Sequence, residues 1–202
     1  MKVQMDATTQ RAIMRKRGIR VITGEVKGLH LKAPPKGLAR PTSDLVRSAI
    51  FSMLESMGVS FDHVLDLYAG TGALGIEALS RGAGQVDFVE RDARMSAVIQ
   101  TNLKAAGLAD LAHVYRAEVA RALAFLSGPY DVIFMDPPYA EANRDAVIAR
   151  VLTPGLVGPR TVVVVEHAHR RPLPEALEGF RAVRQRRYGD TAIAIYRKED
   201  MQ

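Results

Sequence analysis

One nine-residue stretch, Asp131-Val-Ile-Phe-Met-Asp136-Pro137-Pro138-Tyr139, constrains the fold more than any other. Val132 to Met135 are apolar and follow a Gly128-Pro129 turn, the mark of a short buried strand. The prolines carry no N–H and fix φ, so the chain must leave its sheet at Asp136. In an open α/β sheet, ligands bind beyond the carboxyl ends of the strands. The turn therefore offers a ligand the Asp136 carboxylate, the Pro137 carbonyl and the Tyr139 ring. Two acceptors beside an aromatic plate suit a planar base with an exocyclic amine: the acceptors hold its N–H groups while the ring stacks. The plainer account is a strand end punctuated by Pro-Pro.

Val64 to Leu79 reads as a strand, a glycine turn (Gly70-x-Gly72-x-x-Gly75) and a helix. Such glycines allow a tight turn and close approach of a ligand to the backbone. The next strand, 85–89, closes on Glu90, which lies 20 residues after Gly70 and is placed to accept a ribose diol. The same spacing matches the dinucleotide fingerprint. Three features favour S-adenosylmethionine over NAD. Asp66, just ahead of the turn, suits an amino-acid ammonium that NAD lacks. A chain of 202 residues leaves little room for a dehydrogenase substrate domain. Asp136-Pro-Pro-Tyr139 has no role in hydride transfer. Glu118, after the strand 112–115, either reaches the adenine amine of the cofactor or simply starts a helix over 118–126.

Charge is unevenly placed. Residues 1–60 hold 11 Lys/Arg against 4 Asp/Glu, and the remainder hold 17 against 18. A concentrated basic segment is what phosphate contact needs, since neutralising phosphates releases counterions; a solvated basic tail is the alternative. Residues 1–19 read as a basic, flexible or weakly helical arm. Two short strands, 20–24 and 28–32, read as a basic hairpin edged by Arg20, Lys27, Lys32 and Lys36, within a segment 20–39 placed to hold RNA. The catalytic domain then spans 40–202. There is no cysteine, which excludes disulfides and thiol chemistry and fits the cytoplasm. No apolar run spans a membrane, no leader is evident, and no metal is expected.

Thr42 or Ser43 can cap a helix whose apolar positions 46, 50, 53, 54 and 57 share a face. Arg47 lies on its first turn, where a surface arginine is the ordinary reading. Further helices are expected over 93–106 and 144–152. Strands are expected over 130–135 and 161–166, with an antiparallel pair over 180–186 and 191–196. His167 and His169 are expected in a surface turn. Alternating strands and helices imply a mostly parallel sheet with right-handed crossovers.

The run Asp136-Pro-Pro-Tyr139 resembles the motif of amino methyltransferases acting on adenine, cytosine or guanine. Taken in order, a larger set resembles the bacterial 16S rRNA guanine-N2 methyltransferases of the RsmD type over residues 20 to about 197. The pieces are Arg40-Pro-Thr42 with Asp44 and Val46-Arg47, then Asp66-x-x-Ala69-Gly-Thr-Gly-Ala-Leu-Gly75-x-Glu77-Ala-Leu-Ser80-Arg81-Gly82-Ala83. Asp136-Pro-Pro-Tyr139 and Tyr188-Gly-Asp-Thr191 follow. The arm 1–19 departs from the pattern, since members usually begin near Arg20.

The resemblance implies a class I SAM-dependent methyltransferase, Rossmann-like, with a seven-stranded sheet of order 3-2-1-4-5-7-6 and strand 7 antiparallel. It implies S-adenosylmethionine as donor, S-adenosylhomocysteine as product, and the N2 amine of one guanine as acceptor. The partner is 16S rRNA in the assembled small subunit, met by a monomeric chain. Asp136, Pro137 and Tyr139 would do the chemistry. Asp66, Gly70 and Gly72 would hold the methionine end and Glu90 the ribose. Arg40, Thr42 and Arg47 would close over the cofactor or touch phosphate. Arg20, Lys27, Lys32, Arg40 and Tyr188 would meet the RNA. Two other readings stand beside this: an adenine-N6 methyltransferase on DNA or RNA, and a non-catalytic RNA-binding module in ribosome assembly.

Overall fold

The computed structural model describes residues 19–33, 42–138 and 144–199. The arm up to residue 18, Lys36, Arg40 and Tyr139 lie outside the described residues.

Nine elements alternate from the first central strand: β3 (His63–Leu67), α2 (Ala73–Ser80), β4 (Gln85–Val89), α3 (Ala93–Ala106), β5 (Ala112–Tyr115), α4 (Val119–Ala122), β6 (Tyr130–Met135), α5 (Arg144–Val151) and β7 (Val157–Ala168). They are preceded by β1 (Ile19–Arg20), β2 (His30–Leu31) and α1 (Asp44–Ser56). They are followed by β8 (Ala176–Leu177), β9 (Phe180–Tyr188) and β10 (Thr191–Lys198). The main sheet runs β5-β4-β3-β6-β7-β10-β9-β8. Counted from β3, its first seven strands follow the order 3-2-1-4-5-7-6, and the two-residue β8 is an eighth at the edge. Strands β3 to β7 are parallel, while β10 is antiparallel to both β7 and β9.

Each face of the sheet carries its own core. Val64, Phe134, Val164 and Ile195 pack with Ile50, Phe51, Ile76 and Ile99 of α1, α2 and α3. Leu65, Ile133, Met135 and Val165 pack with Val119 of α4 and Val147 and Ile148 of α5. Strands buried on both faces need continuous apolar runs, which is why Val162 to Val165 shows no alternation. Ser43 caps α1, its side chain accepting from Val46 N. Asp92 caps α3 in the same way, through Arg94 N and Met95 N.

The hairpin is built into this core rather than hung from it. Ile19, Val21 and Leu31 are buried with α1 and α2. Its strands are shorter than the sequence implies because their amides go elsewhere. Ile22 N and Thr23 N donate to the Glu77 carboxylate at 2.7 and 3.0 Å. Val26 N donates to Ser80 Oγ at 3.2 Å. Gly24 lies so close to α2 that a Cβ there would fall 1.7 Å from the Ser80 carbonyl oxygen.

Two other bounds differ from the sequence reading. The 118–126 helix shrinks to Val119–Ala122, with hydrogen-bonded turns beyond it. Strand β7 continues past Glu166 to Ala168, because β10 pairs with it from Val162 through Ala168. His167 is therefore in a strand and 6% exposed, not in a surface turn. Among the described residues no helix is long and apolar enough to cross a membrane.

Candidate active site

The loop after β3 turns through positive φ three times, at Tyr68 (61°), Gly70 (56°) and Gly72 (76°). Left-handed backbone costs a residue with a Cβ about 1–2 kcal/mol, so Tyr68 marks a strained position at the carboxyl edge of the sheet. The glycines divide by role. A Cβ on Gly75 would lie 2.3 Å from the Phe88 ring, and one on Gly72 would lie 3.1 Å from Ile99. Both let α2 settle onto β4. A Cβ on Gly70 meets nothing closer than 3.9 Å, so this glycine leaves open space rather than filling it. Gly72 N donates to Ala69 O at 2.7 Å, and Gly70 N donates to Glu90 Oε2 at 2.9 Å. Glu90 Oε1 accepts from Asp92 N at 2.8 Å, so the carboxylate ties the glycine loop to the start of α3.

Three acids converge on one sheet face. Asp66 lies in register with Phe134, and Phe134 with Val164. Alternation along a strand puts Asp66 on the side of Val64, Asp136 on that of Phe134 and Glu166 on that of Val164. The acids thus cap the α1–α2 face at the carboxyl ends of β3, β6 and β7. Asp66 is 2% exposed, accepts from Gly75 N at 3.0 Å, and is pushed up to about 7 by burial, opposed by that bond and aided by Glu90. Burial, then the charges of Glu166 and Asp66, raises Asp136 well above the carboxylate range. Burial raises Glu166 too, while the Thr42 hydroxyl, donating to its Oε2 at 3.1 Å, opposes the shift. The three do not form a metal centre: among the described residues no group of acids and histidines is arranged to hold an ion.

The sequence-chosen residues are distributed as follows. Asp66, Gly70, Gly72 and Glu90 share the loop, and Asp136 and Pro137 stand beside it. Thr42 joins the site through Glu166 rather than through the loop. Arg47 does not belong to the open site: its side chain is fully buried, donating to Arg20 O and Asp44 Oδ1 at 2.7 Å each and lying 3.7 Å from Glu77. It locks α1 to the hairpin. Glu118 is exposed and paired with Arg91 at 3.5 Å. Arg20, Lys27 and Lys32 are exposed, although Arg20 is ion-paired with Asp44 at 3.1 Å. Tyr188 is half-buried against the first core.

Two further acids, Glu166 and Glu77, hold structural or site roles that no sequence motif assigns. Glu166 follows a run of buried valines, as Asp136 follows an apolar run, although β7 continues two residues beyond it. Glu77 sits inside an apolar helix, and an acid there signals a buried partner.

The residues present fit S-adenosylmethionine. Among the described residues no Lys or Arg is ion-paired with Asp66, so its buried carboxylate lacks the cation that an amino-acid ammonium supplies. Gly70 leaves open space beside it, and Glu90 stands at the next strand end.

Comparison with known proteins gives a consistent result. The family described as conserved hypothetical protein 95 matches residues 19–197. YlbH of Bacillus subtilis, a candidate rRNA methyltransferase, is 40% identical over 185 residues, covering 89% of this chain and 99% of its own. Ribosomal RNA small subunit methyltransferase D of Escherichia coli K12 is 32% identical over 181 residues, 90% of either chain. The solved structure of yhhF from Escherichia coli, a candidate methyltransferase, gives a TM-score of 0.80 at 32% identity, covering 91% of this chain and 99% of that one.

Proposed function

The chain belongs to the RsmD family of rRNA methyltransferases, and from that premise we propose that it methylates the N2 amine of one guanine in 16S rRNA within the assembled small subunit. The donor is S-adenosylmethionine. The observation that carries this reading is Asp136, held at the end of β6 beside the Pro137 carbonyl and next to the loop of Asp66 and Gly70.

When bound, the cofactor supplies a methyl group already activated on a sulfonium. This chain has to hold the amine in line with that carbon and keep water out. Guanine N2 is a weak nucleophile because its lone pair is delocalised into the ring. Acceptance of its two N–H bonds by the Asp136 carboxylate and the Pro137 carbonyl localises that pair and stabilises the positive charge that develops. The raised Asp136 suits this, since a carboxyl that resists ionisation gains most from a donor or a developing cation beside it. The proton leaves after transfer, so Asp136 need not be a strong base. Tyr139 is assigned to stack on the base. Asp66 is assigned to the ammonium and Glu90 to the ribose.

The test supplies labelled S-adenosylmethionine with unmethylated small subunits, free 16S RNA and duplex DNA, followed by nucleoside analysis. N2-methylguanosine from subunits is expected. N6-methyladenosine would overturn the guanine assignment and keep the chemistry. No incorporation despite cofactor binding would point to the assembly role.

A further inference from the structure

We propose that the upper half of β9 is a second RNA-contact surface, on which Arg184 and Arg186 grip phosphates flanking the nucleotide held at Asp136. The inference rests on the rRNA-methyltransferase reading and adds a surface to it.

Strand direction puts these arginines at the catalytic end. β10 is antiparallel to β7, and β9 to β10, so β9 runs with β7 and finishes at the same edge. Glu166 is opposite Ile193, and Ile193 is opposite Arg186, which makes one cross-strand row. Arg184 faces Ile195 in the same way. Ile193 and Ile195 belong to the core beneath α1, and directly opposed residues share a face. Arg184 and Arg186 therefore project on the side that carries Asp66, Asp136 and Glu166. Two strand spacings separate Arg186 from Glu166, about 10 Å. Arg184 and Arg186 stand about 7 Å apart along the strand, a spacing comparable to that of successive phosphates. A base at the acids would carry its backbone toward this row.

The arginines are available. Arg184, Arg186 and Arg187 are exposed. Their guanidiniums donate to the carbonyl oxygens of Val183, Gln185 and Gly189, and among the described residues none is ion-paired with an acid. β8 pairs with β9 at Phe180 and Arg181, and Ala182 N donates to Glu175 O at 2.8 Å, so the ladder on this edge ends ahead of Arg184. Residues 170–198 hold eight Lys/Arg against three Asp/Glu, a basic stretch in a part of the chain, 61–202, that otherwise holds nine against fifteen. Arg20 on the N-terminal hairpin is by contrast already paired with Asp44.

Charges on an open edge also prevent strand-to-strand aggregation, a role for which either sign serves. Phosphate binding requires the positive one. Reversal separates the two. The full chain carrying Arg184→Glu and Arg186→Glu would be compared with wild type and with Arg160→Glu, an exposed arginine near the other end of β7. Affinity for small subunits and for 16S RNA would be measured across salt, with cofactor binding and melting temperature alongside.

The double variant should lose at least tenfold in RNA affinity at low salt. Its salt slope should fall by about 1.5, the share of two phosphate contacts. Cofactor affinity and melting temperature should match wild type, and Arg160→Glu should bind RNA normally. The milder Arg184→Gln and Arg186→Gln pair should show a smaller loss in the same direction, which covers misfolding of the reversed pair. Unchanged affinity and slope in the double variant, or an equal loss in Arg160→Glu, would overturn this surface alone. A wild-type protein that binds no RNA would overturn the activity and this surface together.

Discussion

Asp66→Asn should stabilise the protein at pH 8 while costing it the cofactor. Asp66 is 2% exposed, and burial pushes its carboxyl from 3.8 to about 7. That displacement corresponds to roughly 4 kcal/mol between the two protonation states. Its sign is opposite to that of a salt-bridged acid. Between pH 4 and 7 the unfolded chain has released a proton that the folded chain still holds. Stability contributed by this group therefore falls as pH rises through that window and is fully lost above about 7. Asparagine carries no charge at either pH, and its carboxamide oxygen can still accept from Gly75 N. Of the total, roughly 3 kcal/mol falls between pH 5 and pH 8. At about 2–4 °C per kcal/mol for a chain of this size, the melting temperature of the variant relative to wild type should be some 6–12 °C more favourable at pH 8 than at pH 5. Thermal melts at both pH values check this, with calorimetry of S-adenosylmethionine binding on the same samples. Wild-type affinity should rise from pH 6 to pH 8 as Asp66 ionises, and the variant should bind weakly throughout. A melting difference that stays constant with pH would refute the account of Asp66 as a buried acid awaiting a cation.

Other perturbations test separate parts of the structure. Asp136→Ala should lower single-turnover methylation by roughly a hundredfold or more while cofactor affinity stays near wild type, the scale of losing one key polar group; a wild-type rate would remove Asp136 from the chemistry. Glu77→Ala strands Arg47 and the Ile22 and Thr23 amides, so chemical denaturation should show a loss of about 3–5 kcal/mol, and proteolysis should open the 24–28 turn first. Gly75→Ala drives a methyl into the Phe88 ring, and overpacking of this kind costs about 1–3 kcal/mol; an unshifted melting curve would mean that α2 can lift off β4 freely.

The fold was legible because its signals are local. Continuous valines at 162–165, a proline stop at 137 and a glycine turn at 70–75 each specify an element without reference to the rest of the chain. What was not legible depends on partners distant in sequence. β7 outruns its apolar stretch because β10 pairs with its last residues, so His167, next to an acid and two residues from His169 in the following turn, is drawn inside. Arg47 resembles a surface residue of an amphipathic helix until the hairpin closes over it, 27 positions away, and Arg20 O accepts from it. The hairpin strands look longer than they are, since Glu77 and Ser80 take amides that a free hairpin would pair internally.

The active-site acids show the same division at higher stakes. Asp66 and Asp136 are visible in the sequence as acids just ahead of a glycine turn and at a proline stop. Glu166 carries the same local mark without a punctuating motif, and only sheet register shows that it shares their face. Burial raises the cost of ionising all three, and Asp66 and Glu166 add to that cost at Asp136, so the row becomes expensive to keep charged when nothing binds. A cation or an amine donor entering beside them lowers that cost, so the free energy stored in burying the acids is returned when cofactor and base arrive. Destabilisation of the empty site and affinity of the filled one are then a single property. This is why Asp66→Asn is expected to improve the fold and impair binding in one step.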